Sequence, residues 1–289
     1  GEKRELKELI GKEKLNTRIK ELANQIEKNY KGEEVLAILR QAAPEHYACA
    51  WDNVGLLVGS SKKEVKRIYL ALDATDEVVE QAVSCGADLL VTHHPLIFSG
   101  LKRVTDEDFI GRRVQKLIAH DISYYAMHTS FDVSKMADLA AERLGFVAPQ
   151  ALEEMFEEDG ETKGIGKIGN LAQEMTLASC AQFVKKAFEI PAVKVFGNPK
   201  RKVKRAAVCP GSGKSEIPFA LQKGAEVLIT GDIDHHDGID AVAQGLCVID
   251  AGHYGLEHIF VPYMKEYLDT RCRQVEVIMR EDIFPFEVL

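Results

Sequence analysis

Short apolar runs alternate with helix-like patterns through the first half of the chain. Continuous apolar stretches at 67–73, 87–94 and 122–128 predict buried strands, and apolar residues at helical spacing predict helices over 76–86 and 109–119. Strand, helix and strand in this order is typical of right-handed crossovers in a largely parallel sheet. The pattern therefore predicts an α/β fold.

The same alternation returns in the last third of the chain. Apolar runs at 206–209, 226–230 and 246–251 predict strands, and the segments 215–223 and 238–244 predict the helices that connect them. This second set of elements indicates another unit of the same class.

Two stretches of the chain match in detail, "GADLLVTHH" from Gly86 and "GAEVLITGD" from Gly224. Their separation (224 − 86) equals that of the preceding strands, which start at Arg67 and Arg205 (205 − 67). Two unrelated strand–helix–strand units could look alike by composition, but a constant offset favours duplication. We therefore predict two duplicated α/β units with mixed, largely parallel sheets.

The N-terminal segment differs from the rest because it is rich in Lys and Glu and carries one apolar stripe at helical spacing. We expect a helix that packs on the body of the protein or on a neighbouring subunit, and a specific binding helix is the alternative. The stripe consists of Leu15, Ile19, Leu22 and Ile26. A second helical pattern follows and ends before Pro44.

The middle of the chain is acidic and then Gly-rich over 150–170, which we interpret as a surface connection between the two units. A helix over 179–189 and a strand over 192–197 follow it. The predicted organisation is an N-terminal helical extension (1–32), a first α/β unit (33–150), a connecting region (151–204) and a second α/β unit (205–289).

Composition narrows the function classes. The net charge of −8 argues against a general nucleic-acid surface, which needs clustered positive charge. No apolar run reaches the length of a membrane span, and the first residues carry no apolar signal core. The six cysteines form no C-x-x-C pair and read as free thiols, so we expect a cytoplasmic protein.

Histidines and carboxylates gather where predicted strands end. His93 and His94 close one strand, and two later strands are each followed by a histidine with a carboxylate four residues on. These two pairs are His128 with Asp132 and His253 with Glu257. Strand carboxyl ends are where open α/β sheets place their ligands, so we expect these side chains to meet.

Imidazoles and carboxylates are the usual ligands of open metal sites. A histidine and a carboxylate four apart on a helix point the same way and can meet one ion. Adjacent histidines on a strand point in opposite directions and cannot easily share one ion, but they could each serve a different ion if the chain turns there, and Pro95 favours such a turn. The set therefore predicts a dinuclear centre held by His93, His94, Asp132, His253 and Glu257, with a carboxylate able to bridge the ions.

Simpler readings exist for each part of this pattern. Adjacent histidines are often hydrogen-bonded structural residues, a His–carboxylate pair is common on helices, and His128 could only orient a ligand. The stretch "GSGKS" (211–215) resembles a phosphate loop, but the Walker pattern requires glycine where Val208 stands. We interpret it first as a tight turn.

At these residues the sequence resembles the Nif-three-like family, whose members are also named GTP cyclohydrolase I type 2 homologues. The matching stretches are "WDNVGLLVG" (51–59), "GADLLVTHHPLIF" (86–98), "HTSFD" (128–132), "GSGKS", "TGDIDHHDGIDA" (230–241) and "DAGHYGLEH" (250–258). The resemblance runs from about residue 33 to the C-terminus and implies two interlocked α/β units, a toroidal homo-hexamer and a dinuclear metal site. Its ligands fall on the same five residues that the spacing selects.

Two classes of function follow as hypotheses. The first is a cytoplasmic hydrolase that uses two divalent ions, of zinc, iron, manganese, cobalt or nickel, on a small nucleotide-like or phosphorylated substrate. His128, Asp232 and His236 are its candidates for proton transfer or for orienting ligands, although the aspartates of "GDIDHH" could simply cap a helix. The second is a non-catalytic metal-binding scaffold or regulatory adaptor. A ring that encloses DNA is disfavoured by the acidic balance.

Overall fold

The structure, a computed structural model, describes residues 30–281 and 284–289 and contains two main β-sheets. The first sheet has five strands, in the spatial order β13 (Glu276–Met279), β4 (Arg67–Ala71), β5 (Leu89–Thr92), β6 (Ser123–Ala126) and β2 (Gly55–Val58). The second has six, in the order β7 (Val147–Glu158), β8 (Glu161–Thr176), β10 (Lys202–Ser212), β11 (Val227–Gly231), β12 (Cys247–Asp250) and β9 (Lys194–Phe196). A short pair is formed by β1 (Tyr30–Lys31) and β3 (Glu64–Val65).

Helices connect the parallel strands, as the alternating pattern predicts. In chain order they are α1 (Gly32–Ala42), α2 (Asp76–Ser84), α3 (Phe109–Ala119), α4 (His128–Phe131), α5 (Ala137–Arg143), α6 (Leu177–Ala187), α7 (Ile217–Gln222), α8 (His235–Ala243), α9 (His253–Glu257) and α10 (Phe260–Arg271). A π-helical turn over Asp132–Met136 joins α4 to α5, and 3-10 turns occupy Glu45–Tyr47 and Lys214–Glu216. The helix predicted within residues 1–29 lies outside the described residues.

The fold class is confirmed, since the two sheets repeat one arrangement. Each contains three successive parallel strands, β4–β5–β6 and β10–β11–β12, with an antiparallel strand beside the third. Hydrogen bonds repeat as well. The Asp88 carboxylate accepts the N–H groups of Arg67 and of the residue before it, and Glu226 does the same for Arg205 and its predecessor. The predicted duplication is therefore present in the backbone.

The interpretation of 150–170 as a surface connection is wrong. This segment lies in β7 and β8, an antiparallel hairpin whose second strand pairs with β10 in the second sheet. Its glycines permit close strand contact, because a Cβ atom at Gly164 would lie 1.8 Å from the carbonyl oxygen of Glu153. Gly-rich sequence here marks tight pairing of strands and not a loop.

The two sheets are also joined by one core and by an exchanged strand. Leu70 and Val91 of the first sheet belong to the same buried cluster as Val208 and Ile229 of the second. The last strand, β13, comes after all strands of the second sheet along the chain but pairs in parallel with β4 of the first sheet. The proposed boundaries at 33–150, 151–204 and 205–289 stay a prediction about the units of the chain.

In the described part of the chain, no helix is long and apolar enough to span a bilayer. All six cysteines are free thiols, and four of them are buried.

Candidate metal centre

His93 and His94 directly follow β5, at the edge of the first sheet that faces α4 and α9. The chain bends there, and backbone hydrogen bonds fix the bend: the N–H of His94 donates to the carbonyl of Leu72, and the N–H of His128 donates to that of His93. The His93 side chain is fully buried, whereas His94 is partly exposed. Because the strand has ended, the two imidazoles need not point apart, and their ring centroids lie 4.8 Å from each other.

Both imidazoles face one carboxylate, that of Glu257 at the end of α9. Glu257 Oε1 lies 3.6 Å from His93 Nε2, and Oε2 lies 2.9 Å from His94 Nε2. His253, one turn earlier on the same helix, brings its Nε2 to 3.1 Å from Oε2. The Glu257 side chain is only 3% exposed. A single buried carboxylate therefore contacts three imidazoles from both units.

The remaining contacts sort the side chains into two groups that share Glu257. Asp132 Oδ1 lies 3.3 Å from His93 Nε2, on the Oε1 side of Glu257. On the other side, His94 Nε2 and His253 Nε2 lie 3.0 Å apart beside Oε2. One group offers a nitrogen and two oxygens, and the other offers two nitrogens and an oxygen.

Several polar atoms of this cluster are buried without a hydrogen bond of normal geometry, although some of them lie at ion-pair distance from an oppositely charged neighbour. They are both ring nitrogens of His93, Oδ1 of Asp132 and Oε2 of Glu257. Ligand atoms of His93, His94 and Glu257 all fall within 4.8 Å of one another. Buried polar atoms normally find partners, so a convergent set without them fits the donor shell of a metal ion. These residues form a candidate metal-binding group.

A second row of aspartates orients the imidazoles. Asp73 Oδ1 lies 2.8 Å from His94 Nδ1, and Asp232 Oδ2 lies 2.7 Å from His253 Nδ1. An aspartate on Nδ1 fixes the proton there and leaves Nε2 as a lone-pair donor, which is the usual arrangement around metal-binding histidines. Both Nε2 atoms face Glu257, so this row prepares them for a cation.

His128 borders the cluster, and an aspartate orients its imidazole as well. Its Nδ1 lies 2.7 Å from Asp52 Oδ1, and its ring centroid is 5.5 Å from that of His94. Burial alone would raise the pKa of Asp52, but hydrogen bonds from His128 and Thr129 outweigh burial and lower it to about 2. Asp52 therefore remains ionised and fixes the orientation of His128.

Within the cluster, Glu257 and the imidazoles shift the pKa values of one another. Burial raises the pKa of Glu257, but His93 and His94 outweigh burial and hold it well below its usual range. Burial lowers the pKa of His253, yet the hydrogen bond and charge of Glu257 raise it to about 9. The pKa of His94 likewise lies well above its usual range, since Glu257 and Asp73 outweigh burial. Without a metal, protons on the imidazoles balance Glu257.

The backbone around the cluster is held in unusual conformations. His128 and Asp232 have positive φ angles of 27° and 55°, which non-glycine residues seldom adopt. Gly211 (φ 80°) lies against the cluster, and a Cβ atom there would be 2.5 Å from Glu257 Oε1. The glycine lets the "GSGKS" segment approach the buried carboxylate.

A cavity of about 170 Å³ opens beside the cluster and is bordered by Asp132, Glu257, Trp51 and the "GSGKS" segment. Glu216, the next residue, also borders it; this residue is 3% exposed and its Oε2 has no hydrogen-bond partner. Burial and the charge of Glu153 raise the pKa of Glu216 to about 7, against a weaker lowering by Ser215. A carboxyl group that titrates near neutrality thus lies next to the candidate metal ligands.

The structure brings together all five residues predicted to bind metal, and their role as ligands stays a prediction. Of the other candidates, Asp232 contacts His253 and His128 borders the rings. His236 is exposed in the first turn of α8, where its ring lies 5.2 Å from that of His235. Asp234 caps this helix by accepting the N–H of Asp237, as the alternative reading of the aspartates predicts.

Sequence reasoning missed Asp52, Asp73 and Glu216. A signal for Asp73 exists, because it precedes His94 by 21 residues and Asp232 precedes His253 by the same interval. Asp52 lies in a turn after α1, 76 residues before its partner His128, and no periodicity connects the two. Glu216 directly follows the "GSGKS" stretch, whose resemblance to a phosphate loop directed attention to its glycines.

The fold and the cluster define a class of α/β protein in which two duplicated units enclose a buried group of histidines and carboxylates. A family model described as Duf34/NIF3 (NGG1p interacting factor 3) matches residues 30–283, and the chain belongs to this family. A relative from Clostridium perfringens named GTP cyclohydrolase 1 type 2 homolog is 33% identical over 260 residues, which cover 89% of this chain and 98% of the relative. The resemblance inferred from the motifs is confirmed.

Solved structures agree with this assignment. A Bacillus cereus protein related to NIF3 superposes with a TM-score of 0.84 at 26% identity, covering 91% of this chain and all of that one. Reduced HcgD from Methanocaldococcus jannaschii superposes with a TM-score of 0.75 at 30% identity, covering 87% of this chain and 98% of that one. The likeness extends over both sheets.

Glu216 should make the stability of the metal-free protein depend on pH. Its folded-state pKa of about 7 exceeds the ordinary value of 4.5, so the folded state retains a proton that the unfolded state loses. The free energy of unfolding should therefore fall as pH rises through this range, by up to about 3 kcal/mol from this group. Urea denaturation with chelator at about pH 5 and pH 8 should show that Glu216→Gln removes this loss. Glu174→Gln, at an exposed glutamate, should keep it, and equal pH slopes in all three proteins would contradict the expectation.

Metal binding should release protons below about pH 9. His253 has a raised pKa of about 9 in the metal-free protein and must become neutral to act as a ligand. Calorimetry with zinc, in two buffers of different ionisation enthalpy, should detect more protons released at about pH 7 than at about pH 10. Affinity should rise with pH over the same interval. Identical release at both pH values would mean that His253 does not exchange its proton for a cation.

Proposed function

We propose that this protein is a dinuclear metal-dependent hydrolase that acts on a small nucleotide-like or phosphorylated molecule. The observation that carries the proposal is the shared position of Glu257, with a separate set of donor atoms next to each of its oxygens. His93 and Asp132 would hold one ion beside Oε1, and His94 and His253 would hold the other beside Oε2. Two ions bound there would supply Lewis-acid chemistry by polarising a substrate oxygen and acidifying water.

The residues around these donors suit the handling of protons. His128 borders the rings and is fixed by Asp52, so it is placed to accept or donate a proton at the edge of the centre. Asp232 acts through His253, whose orientation it sets. Glu216 adds a carboxyl group with a pKa of about 7 on the cavity wall. His236 stays a candidate and is exposed in the first turn of α8.

The substrate class proposed for this chain rests on the names of its relatives. Several carry the name GTP cyclohydrolase 1 type 2 homolog, which supports a nucleotide-like substrate for this chain. Nucleotides and other phosphorylated molecules also present oxygens that hard divalent cations bind well. Zinc, iron, manganese, cobalt and nickel all suit the mixed donor set, which contains no thiolate.

Replacing the shared carboxylate should disable the centre without unfolding the protein. Glu257→Gln keeps the size of the side chain but removes the charge that two ions would share, so bound metal should fall below two ions per chain. Asp132→Asn should weaken binding of only the ion beside His93 and leave about one ion per chain. Elemental analysis gives the metal content, and release of product from GTP with and without chelator gives the activity.

The matched control is Glu266→Gln, a change at an exposed glutamate of α10, which should retain both ions and any turnover. If Glu257→Gln bound two ions with unchanged affinity, the proposed ligand set would be wrong. If the unaltered protein bound two ions but turned over neither GTP nor other phosphorylated metabolites, the protein would be the metal-binding scaffold or adaptor of the alternative hypothesis.

The oligomeric state of the protein is also a proposal. The family resemblance implies a toroidal homo-hexamer, with the metal centres facing its cavity. Light scattering of the metal-loaded chain should give a mass close to six times 32.1 kDa. A stable monomer at micromolar concentration would contradict this expectation. The six free thiols support a reducing compartment, and we propose a cytoplasmic location.

A further inference from the structure

Two large aromatic side chains are exposed next to each other near the candidate metal centre. Trp51 is 61% exposed and Phe98 is 50% exposed. Their ring centroids lie 5.8 Å apart with an interplanar angle of 39°. Single exposed apolar residues are ordinary on protein surfaces, but a pair of exposed aromatic rings in contact is a candidate binding surface.

This aromatic pair adjoins the metal ligands. The ring centroid of His128 lies 5.9 Å from that of Trp51 and 6.2 Å from that of Phe98. Trp51 also borders the cavity that contains Asp132 and Glu257, whereas Phe98 borders a neighbouring cleft that reaches His94. The apolar faces therefore continue directly into the polar centre.

Hydrogen bonds fix the two loops that carry these rings. Asn53 Nδ2 donates to the carbonyl of Ile97 over 2.6 Å, which ties the loop of Trp51 to the loop of Phe98. Between Trp51 and Asn53, Asp52 is fixed by His128 and Thr129. The loops that carry the rings are thus preorganised, which lowers the entropy lost when a ligand binds.

We propose that Trp51 and Phe98 form a stacking platform for the planar ring of a ligand whose polar end reaches the metal centre. The inference rests on the proposed function and adds the class of substrate, a molecule with a heteroaromatic ring such as a nucleobase. Aromatic side chains stack on any base, since every base has a π face. The occupant is a small ligand and not a second copy of the chain, because His128 and the acidic cavity continue the surface with groups that suit a polar tail and metal ions.

The chain contains one tryptophan, so its fluorescence reports on this platform alone. The full zinc-loaded protein is titrated with guanosine monophosphate and with adenosine monophosphate. Ribose 5-phosphate serves as the matched ligand without a ring. Both nucleotides should quench the emission saturably, and ribose 5-phosphate should not quench it at the same millimolar concentrations.

Single substitutions test whether nucleotide binding depends on these two rings. Phe98→Leu should weaken nucleotide binding by roughly 5- to 100-fold, which corresponds to the loss of one stacked ring. Ile118→Ala, at an apolar residue of α3 with the same 61% exposure as Trp51, should bind as the unaltered protein does. Calorimetry with Trp51→Leu, which lacks the fluorescent ring, should show a loss similar to that of Phe98→Leu. Zinc content should stay unchanged in all three variants.

Three results would overturn the platform: no saturable quenching by either nucleotide, equal affinity for ribose 5-phosphate by calorimetry, or nucleotide binding that Phe98→Leu leaves unchanged. A change of mass in light scattering for Trp51→Leu, with nucleotide affinity retained, would assign the rings to contact between subunits instead. These outcomes are separate from the hydrolase proposal. Ring-dependent binding without turnover would support the platform and contradict the hydrolase, and turnover without ring-dependent binding would do the reverse.

Discussion

Burial of the Glu257 carboxylate is the constraint on which the rest of the site depends. Removing a carboxylate from water costs several kcal/mol, and the cost is offset only by positive charge and well-placed donors. Three imidazoles from both halves of the chain surround this group at 2.9 to 3.6 Å. They can balance it only by holding protons or by sharing cations with it. The aspartates behind His94 and His253 keep these imidazoles aimed at the buried carboxylate, and Gly211 leaves the space that Oε1 occupies.

Much of this site could be predicted from sequence because its residues sit at positions that topology fixes. Parallel strands end at one edge of a sheet, so histidines that follow β5, β6 and β12 were expected to meet. The prediction that His93 and His94 could serve different ions required the chain to turn there, and the strand does end at Thr92, with a bend that turns both rings towards Glu257. Partners reached through turns, such as Asp52, carry no periodic signal and were missed.

The fold could be predicted to a similar degree, and the prediction for one segment failed for a related reason. Alternation of strand and helix identified the parallel cores, where each strand is buried on both faces and reads as a continuous apolar run. The hairpin of β7 and β8 lies at one side of its sheet, and its outer strand is mostly exposed, so it reads as polar sequence. Gly164 and Gly166 completed the resemblance to a loop, although the Glu153 carbonyl leaves no room for a Cβ atom at Gly164 and Gly166 has a positive φ of 67°.

The path of the chain after β12 has a mechanical consequence. Between β12, in the second sheet, and β13, in the first, the chain forms α9 and α10, and Glu257 lies on this crossing segment. A displacement of one sheet relative to the other would pull on the segment from both anchors and shift the carboxylate against His93, which belongs to the first sheet alone. The position of Glu257 in the centre is therefore tied to the docking of the two sheets through this segment.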